Sequence, residues 1–242
     1  MVYLIFLICS VFFSSGYSQE TNPDVSLKIG SITILRGDSV FVYSAGEKKT
    51  VSEKEIPYII YSGDEVNTTS GSHCEVVLYS GSTIYVGPET LMSIEKKGEE
   101  IGSMFLKYGL VMFRGVNPVD FRVSDIHTRT VSGDFIARYK KIIFELTFLN
   151  FGEAVYVKQT DDKTPSKVLR GGYIDAVSFK NQKRFGLILP SAIPGLYEKF
   201  KVPFKPEGPS FDVFSPAQTK ELKKENDAKV IDVDKIKRVT GF

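Results

Sequence analysis

The chain has 242 residues, of which 42% are hydrophobic, 25% charged and 12% aromatic, so it can bury a substantial core. A total of 31 Lys and Arg residues against 29 Asp and Glu gives a net charge of +2, which argues against a nucleic-acid partner. With two His, two Cys and no Trp, few of the side chains that build metal sites and nucleophilic active sites are present.

The first predicted element is a signal peptide over residues 1–18. Residues 1–13 are uncharged and almost wholly apolar, and small residues follow as far as Ser18, so cleavage is expected there. The apolar run is shorter than the roughly 20 residues that a membrane-spanning helix needs. We therefore expect a periplasmic or secreted mature chain that is peripheral to a membrane at most. Lipidation at Cys9 is disfavoured because the bulky Ile8 precedes it.

Residues 25–185 are predicted to form one mainly β domain. Glycines separate short runs in which apolar residues alternate with polar ones, as they do in Ser72–Tyr79. Further strands are predicted at Met104–Lys107, Leu110–Arg114, Asp120–Val123, Phe135–Tyr139, Ala154–Lys158 and Tyr173–Phe179. No helical period extends over three turns, so no long helix is expected before residue 190. Many short strands fit a sandwich, a barrel, or a short β-solenoid or β-roll.

One run in this domain is apolar on both faces. Ile142–Leu149 is interrupted only by Glu145 and Thr147. This pattern predicts a central strand that is covered on two sides.

The composition changes after residue 185. Six prolines between residues 190 and 216 predict an extended, Pro-rich strap over residues 186–216. The tail, residues 217–242, has seven basic and five acidic residues and is predicted to be a short helix or disordered. If the helix forms, Ser215 is its expected N-cap.

The residue types and motifs present favour a protein that is not an enzyme and has no cofactor or bound metal. His73 and Cys74 are adjacent on a strand and therefore point to opposite faces, so they cannot form a nucleophile and base pair. No nucleotide-binding motif is present. Basic residues near tyrosines suggest a patch for anionic glycans or lipid headgroups, although exposed solubilising charge is the default interpretation. These basic residues are Lys48, Lys49, Lys54, Arg138, Lys140 and Lys141.

Residues 62–92 resemble the FecR domain, a β-rich periplasmic module. The shared pattern is a Gly-Asp, a Thr-x-x-x-Ser turn, a Gly-Ser turn and a Pro-x-Thr. In this sequence these are Gly63 and Asp64, Thr68 and Ser72, Gly81 and Ser82, and Pro88 and Thr90. Downstream, Leu106, Gly109, Val111 and Phe113 resemble the next hairpin of the family, and Gly133 and Gly152 resemble later turns. Full regulators of this family carry an anti-sigma segment and a membrane span before the domain, whereas here we expect a stand-alone form.

Most residues of this pattern also have a physical reason to build turns. Glycine enters positive φ without a Cβ penalty, and short polar side chains bond to nearby backbone. The turn residues expected to define the fold are Gly63, Asp64, Gly81, Ser82, Pro88, Thr90, Gly109, Gly133 and Gly152.

The predicted function is that of an exported binding or adaptor domain in the bacterial cell envelope that could take part in envelope sensing or signalling. Its expected partner is an envelope protein or a peptidoglycan or other glycan, bound through loops or an exposed strand edge. The candidate binding residues are Ser70, Ser72, Tyr79, Ser80, Lys96 and Lys97. The alternatives are a glycan-acting envelope enzyme on a β-solenoid scaffold and a purely structural envelope protein. An enzyme of this kind needs Asp or Glu side chains within about 10 Å of each other on neighbouring strands.

Overall fold

A computed structural model describes residues 28–97, 100–115, 117–129, 133–180, 182–188, 190–200 and 229–230. The predicted signal peptide, Cys9 and the predicted helix that Ser215 would cap all lie outside these residues. The described part of the chain is mainly β, as predicted.

Eighteen β-strands account for most of the described residues. They are β1 (Lys28–Arg36), β2 (Val40–Ser44), β3 (Glu47–Val51), β4 (Tyr58–Tyr61), β5 (Glu65–Thr68), β6 (His73–Leu78), β7 (Thr83–Val86), β8 (Leu91–Lys97), β9 (Glu100–Arg114), β10 (Asp120–Val123), β11 (Ile126–Arg129), β12 (Phe135–Lys140), β13 (Glu145–Asn150), β14 (Val155–Gln159), β15 (Ser166–Val168), β16 (Gly172–Val177), β17 (Gln182–Leu187) and β18 (Lys229–Val230). Short 3₁₀ turns form at Glu53–Glu55 and Pro190–Ala192, and α1 spans Ile193–Glu198.

The strands form one open hydrogen-bonded series that folds into two layers. The first layer has the order β4-β1-β6-β7-β9-β12-β13-β16-β17-β18. The second has the order β3-β2-β5-β8-β9-β10-β11-β14-β15. Most neighbours are antiparallel, and β9 belongs to both layers.

Strand β9 passes from one layer to the other at Gly109. The residues before this glycine pair with β8 and β10, and those after it pair with β7 and β12. The predicted hairpin here, with separate strands Met104–Lys107 and Leu110–Arg114, is therefore wrong, because the chain bends without reversing. Gly109 has φ +102, and a Cβ there would lie 2.4 Å from the Cα of Thr90. Only glycine permits this bend and this close approach of two backbones.

The main hydrophobic core lies between the two layers. In β6 every second residue is buried, as the alternation predicts. Phe121 of the second layer contacts Phe135 and Phe148 of the first, with ring centroids 5.2 and 5.9 Å apart. These aromatic contacts join the layers near the centre of the domain.

A second, smaller core lies on the outer face of the first layer. The residues that follow β17 do not form an extended strap as far as Phe200, because Pro190–Ala192 and Ile193–Glu198 are helical. Leu196, Tyr197 and Phe200 pack there against apolar side chains from β9, β12, β13 and β16. Among the residues that the structure describes, no helix combines the length and apolar character needed to cross a membrane.

The predicted central strand Ile142–Leu149 is correct only from Glu145 onward. Residues 146–150 are buried, but residues 141–144 form the turn that joins β12 to β13. Three apolar residues that were expected in the core therefore lie on the surface, because the antiparallel pairing of β12 with β13 requires the chain to reverse there.

Candidate functional site

Four exposed apolar side chains lie together on two neighbouring turns, and we refer to them as the apolar tip. Ile142, Ile143 and Phe144 belong to the turn between β12 and β13, with exposed fractions of 94%, 53% and 47%. Phe179 follows β16 and is 70% exposed. The rings of Phe144 and Phe179 meet edge to face, with centroids 6.2 Å apart. Exposed apolar residues that are scattered singly need no explanation, whereas a contiguous cluster indicates an interaction site.

Both phenylalanines of the apolar tip have left-handed backbone conformations. Phe144 has φ +54 and Phe179 has φ +63. Glycine and asparagine adopt this conformation readily, whereas for a bulky side chain it is a true outlier. Such strain has an energetic cost of order 1–3 kcal/mol per residue and tends to cluster at functional sites. Stability of the fold therefore gives no reason for phenylalanine at either position.

Backbone hydrogen bonds tie the turns of the tip to each other. The Ser178 N–H donates to the Phe144 carbonyl at 2.8 Å. The Phe179 N–H donates to Asp125 Oδ2 at 3.0 Å, and the Asp125 carbonyl accepts the Thr160 N–H at 3.2 Å. These hydrogen bonds therefore hold together the two turns that carry the apolar side chains.

A groove of about 780 Å³, the basic groove, runs along one side of the tip. Four cations line it, together with the apolar side chains of Ile142 and Ile143 and one carboxylate, that of Glu89. The four cations are Arg138, Lys140, Lys141 and Lys199. This excess of positive charge suits an anionic ligand or surface.

A second groove, of about 760 Å³, lies on the other side of the tip and includes Phe144 and Phe179. It extends over the outer face of the second layer, where the Arg122 guanidinium lies 5.4 Å from the centre of the Phe105 ring. Its charges are more mixed than those of the basic groove, because its lining includes both Lys107 and its ion-pair partner Glu65.

Two carboxylates share a cleft on the outer face of the first layer. Glu145 and Asp175 lie on the paired strands β13 and β16, two register positions apart, in a space of about 410 Å³. Asp175 is 7% exposed and accepts a 2.7 Å hydrogen bond from the Thr147 hydroxyl. Burial raises the pKa of Asp175 to about 6, and the negative charge of Glu145 adds to this, whereas the Thr147 hydrogen bond and the Arg184 charge oppose it.

Several of the predicted turn residues hold strands together. Asp64 Oδ2 accepts the Tyr61 N–H at 2.9 Å. The buried Thr90 hydroxyl accepts the Leu110 N–H at 2.8 Å and donates to the Pro88 carbonyl at 3.0 Å. Ser82 is buried, and positive φ occurs at Gly63, Gly81, Gly109 and Gly133. A Cβ at Gly133 would lie 2.5 Å from the Gly152 Cα, so these two glycines allow a close backbone contact.

The predicted binding loops do not form a single surface with the apolar tip. Ser72 is buried, where its hydroxyl accepts the Ser39 N–H at 3.0 Å. Ser70 is exposed, Ser80 and Lys96 are half-buried, and the side chain of Lys97 lies outside the described residues. Tyr79 is 64% exposed, but by strand register it lies at the opposite end of the first layer from the tip. Whether these loops bind a partner stays a prediction.

The sequence pattern does not reveal the apolar tip, because it predicts strands over the residues of both turns. In the sequence Ile142 to Phe144 extend an apolar run, and Phe179 ends another. The signal that could have identified the tip is the lysine flanking, with Lys140 and Lys141 before one turn and Lys180 after Phe179.

Cys74 is buried, and burial raises the pKa of its thiol to about 12, so the reactive thiolate is suppressed. Within the described ranges no group of three or more His, Cys, Asp or Glu side chains could hold a metal ion.

Comparison with known proteins identifies similar folds alone. No family model and no curated protein matches the chain. Two crystal structures of a candidate anti-sigma factor from Parabacteroides distasonis are similar to it, with TM-scores of 0.47 and 0.45 and 13% identity. Each match covers 53% of this chain and 62% of the other.

Proposed function

We propose that this chain is an exported, non-enzymatic, FecR-like adaptor domain that binds a component of the bacterial cell envelope through the apolar tip. The observation that carries the proposal is the pair Phe144 and Phe179, exposed and in contact on left-handed backbone. Such residues weaken the folded state and gain free energy when a partner covers them.

The FecR-like and exported parts of the proposal rest on the sequence. The Gly-Asp, Gly-Ser and Pro-x-Thr motifs occur in the family's order, and in the fold they fall at connections between strands. Export rests on the apolar residues 1–13 and the small residues that follow them.

The test is affinity capture from envelope extracts with residues 19–242, which include every described residue. We compare the unmodified chain with the double variant Phe144→Asn/Phe179→Asn, because asparagine tolerates left-handed backbone and should preserve the fold. Ile34→Ser removes an exposed apolar side chain on β1, four strands away from β12 in the first layer, and is the matched control. Loss of the captured components with the double variant alone supports the proposal. Equal capture by all three chains contradicts it.

A truncated chain tests the role of the C-terminal region. Deletion of everything after residue 185 would uncover the second core, because Leu196, Tyr197 and Phe200 cover it. A chain that ends after Phe200 keeps this cover, and we expect it to retain its captured partners.

The carboxylate cleft favours a second candidate function, that of a glycan hydrolase. Glu145 and Asp175 lie on neighbouring strands, and a carboxyl whose pKa is raised to about 6 suits a general acid. Release of soluble fragments from purified peptidoglycan by the unmodified chain, and its loss in Asp175→Asn, would favour this function over the adaptor.

A further inference from the structure

We propose that the apolar tip inserts into the headgroup region of an anionic phospholipid bilayer, so that the domain binds the membrane surface peripherally. This inference rests on the proposed function and names the partner of the same surface.

The first argument is the shape of the tip. Its side chains protrude from turns, and Ile142 at 94% exposure has almost no protein around it. A bilayer interface can receive a small convex apolar group without a matching cavity. Aromatic and aliphatic side chains presented in this way are typical of segments that bind at the boundary of headgroups and acyl chains.

The second argument is the charge around the tip. Residues 138–144 and 178–180 contain four cations, Arg138, Lys140, Lys141 and Lys180, and no Asp or Glu. Lys199 adds a fifth cation in the basic groove, where Glu89 is the one carboxylate among the lining residues. Lysine can extend its ammonium group to the lipid phosphates while its stem stays on apolar surface. A juxtaposed basic cluster and apolar tip therefore match an anionic membrane.

The carboxylates near the tip lie beside its two cationic segments. Glu65 and Glu95 line the second groove, and Glu65 is paired there with Lys107. Asp125 Oδ2 accepts the Phe179 N–H at 3.0 Å, and this bond helps to hold the turn. Glu145 lines the carboxylate cleft with Asp175 on the outer face of the first layer. None of these carboxylates lies within the two cationic segments of the tip.

The absence of tryptophan from the chain gives a direct experiment. In residues 19–242, the variant Ile142→Trp carries a single indole at the tip, and Ile34→Trp carries one on β1, four strands away from β12 in the first layer. We expect vesicles of phosphatidylcholine with phosphatidylglycerol to shift the emission of the Ile142→Trp variant to the blue. Lipids brominated on the acyl chains should quench this emission. The Ile34→Trp variant should respond to neither.

Vesicle flotation then measures the contribution of each group. Phe144→Asn/Phe179→Asn should weaken binding to the anionic vesicles by about tenfold or more. Lys141→Gln and Lys180→Gln should each weaken it by about fivefold at low salt, and added salt should reduce this difference. Ile34→Ser should bind like the unmodified chain, and circular dichroism checks that each variant is folded.

Two results would overturn the inference. One is an unshifted Ile142→Trp emission with anionic vesicles. The other is vesicle binding that the double phenylalanine variant retains. If envelope capture still depends on the phenylalanines in either case, the partner is a protein or glycan and the proposed function stands. If capture is also independent of them, both proposals fail.

Discussion

Replacement of Asp175 by asparagine should make the folded domain less sensitive to pH. The carboxyl is buried beside Glu145, and its pKa is raised from 3.8 to about 6 in the folded state. Because the unfolded chain gives up this proton at a lower pH, the free energy of unfolding falls as the pH rises through this interval. Below about pH 4 this carboxyl is protonated in both the folded and the unfolded chain, so it no longer lowers the free energy of unfolding.

The size of the change in unfolding free energy follows from the shift in the pKa of Asp175. Each pKa unit corresponds to about 1.4 kcal/mol, so a rise of roughly two units makes the ionised carboxyl cost about 3 kcal/mol at neutral pH. Asparagine keeps an oxygen that can accept the Thr147 hydroxyl bond and carries no charge. The attraction between Arg184 and the ionised carboxyl is already included in this shift, so the gain reaches about 3 kcal/mol if asparagine otherwise replaces the protonated acid without loss.

Urea unfolding of the unmodified chain and of Asp175→Asn between about pH 4 and pH 7 measures this directly. The difference in unfolding free energy should be small at the acidic end and should increasingly favour the variant as the pH rises. Thr147→Val removes the hydrogen bond that lowers the pKa, so it should move the same transition to higher pH. A difference that stays constant within about 0.5 kcal/mol across the range would refute the reasoning.

Three further predictions concern the fold. Gly109→Ala should lower the unfolding free energy by about 3 kcal/mol, because φ is +102 there and the new Cβ would lie 2.4 Å from the Thr90 Cα. Gly46 also has positive φ, +86, but its Cβ would meet open space, so Gly46→Ala should lower the unfolding free energy by only about 1 kcal/mol. Equal losses in urea unfolding would contradict the close contact. Thr68→Val should cost about 1–3 kcal/mol, because the hydroxyl donates to a buried carbonyl at 2.6 Å and accepts the Thr90 N–H at 3.0 Å; an unchanged urea midpoint would count against this. Cys74, in a chain without the predicted signal peptide, should resist iodoacetamide at about pH 8 until denaturant is added, and rapid labelling of the folded chain would show that the thiol is accessible.

The pattern of residues along the chain is enough to predict a mainly β protein and to locate several strands. Side chains alternate between the two faces of a strand, so one buried face leaves a period of two, as in β6. The predicted bounds of β10, Asp120–Val123, agree with those observed. The predicted turn glycines Gly63 and Gly81 have positive φ, a backbone conformation that residues with a Cβ rarely adopt. These features depend on local backbone geometry, which is set by residues that are close together in the sequence.

Which side chains lie on the surface could not be predicted in the same way, because it depends on which strands become neighbours in the fold. A run such as Ile142 to Phe144 has the same local pattern whether it continues a core strand or projects from a turn, and the pairing of β12 with β13 placed it at the surface. The pairing of β13 with β16 likewise brought Glu145 near Asp175, across about thirty residues of sequence. Gly109 shows the same limit, since a glycine between two apolar runs fits both a hairpin and a strand that crosses between layers.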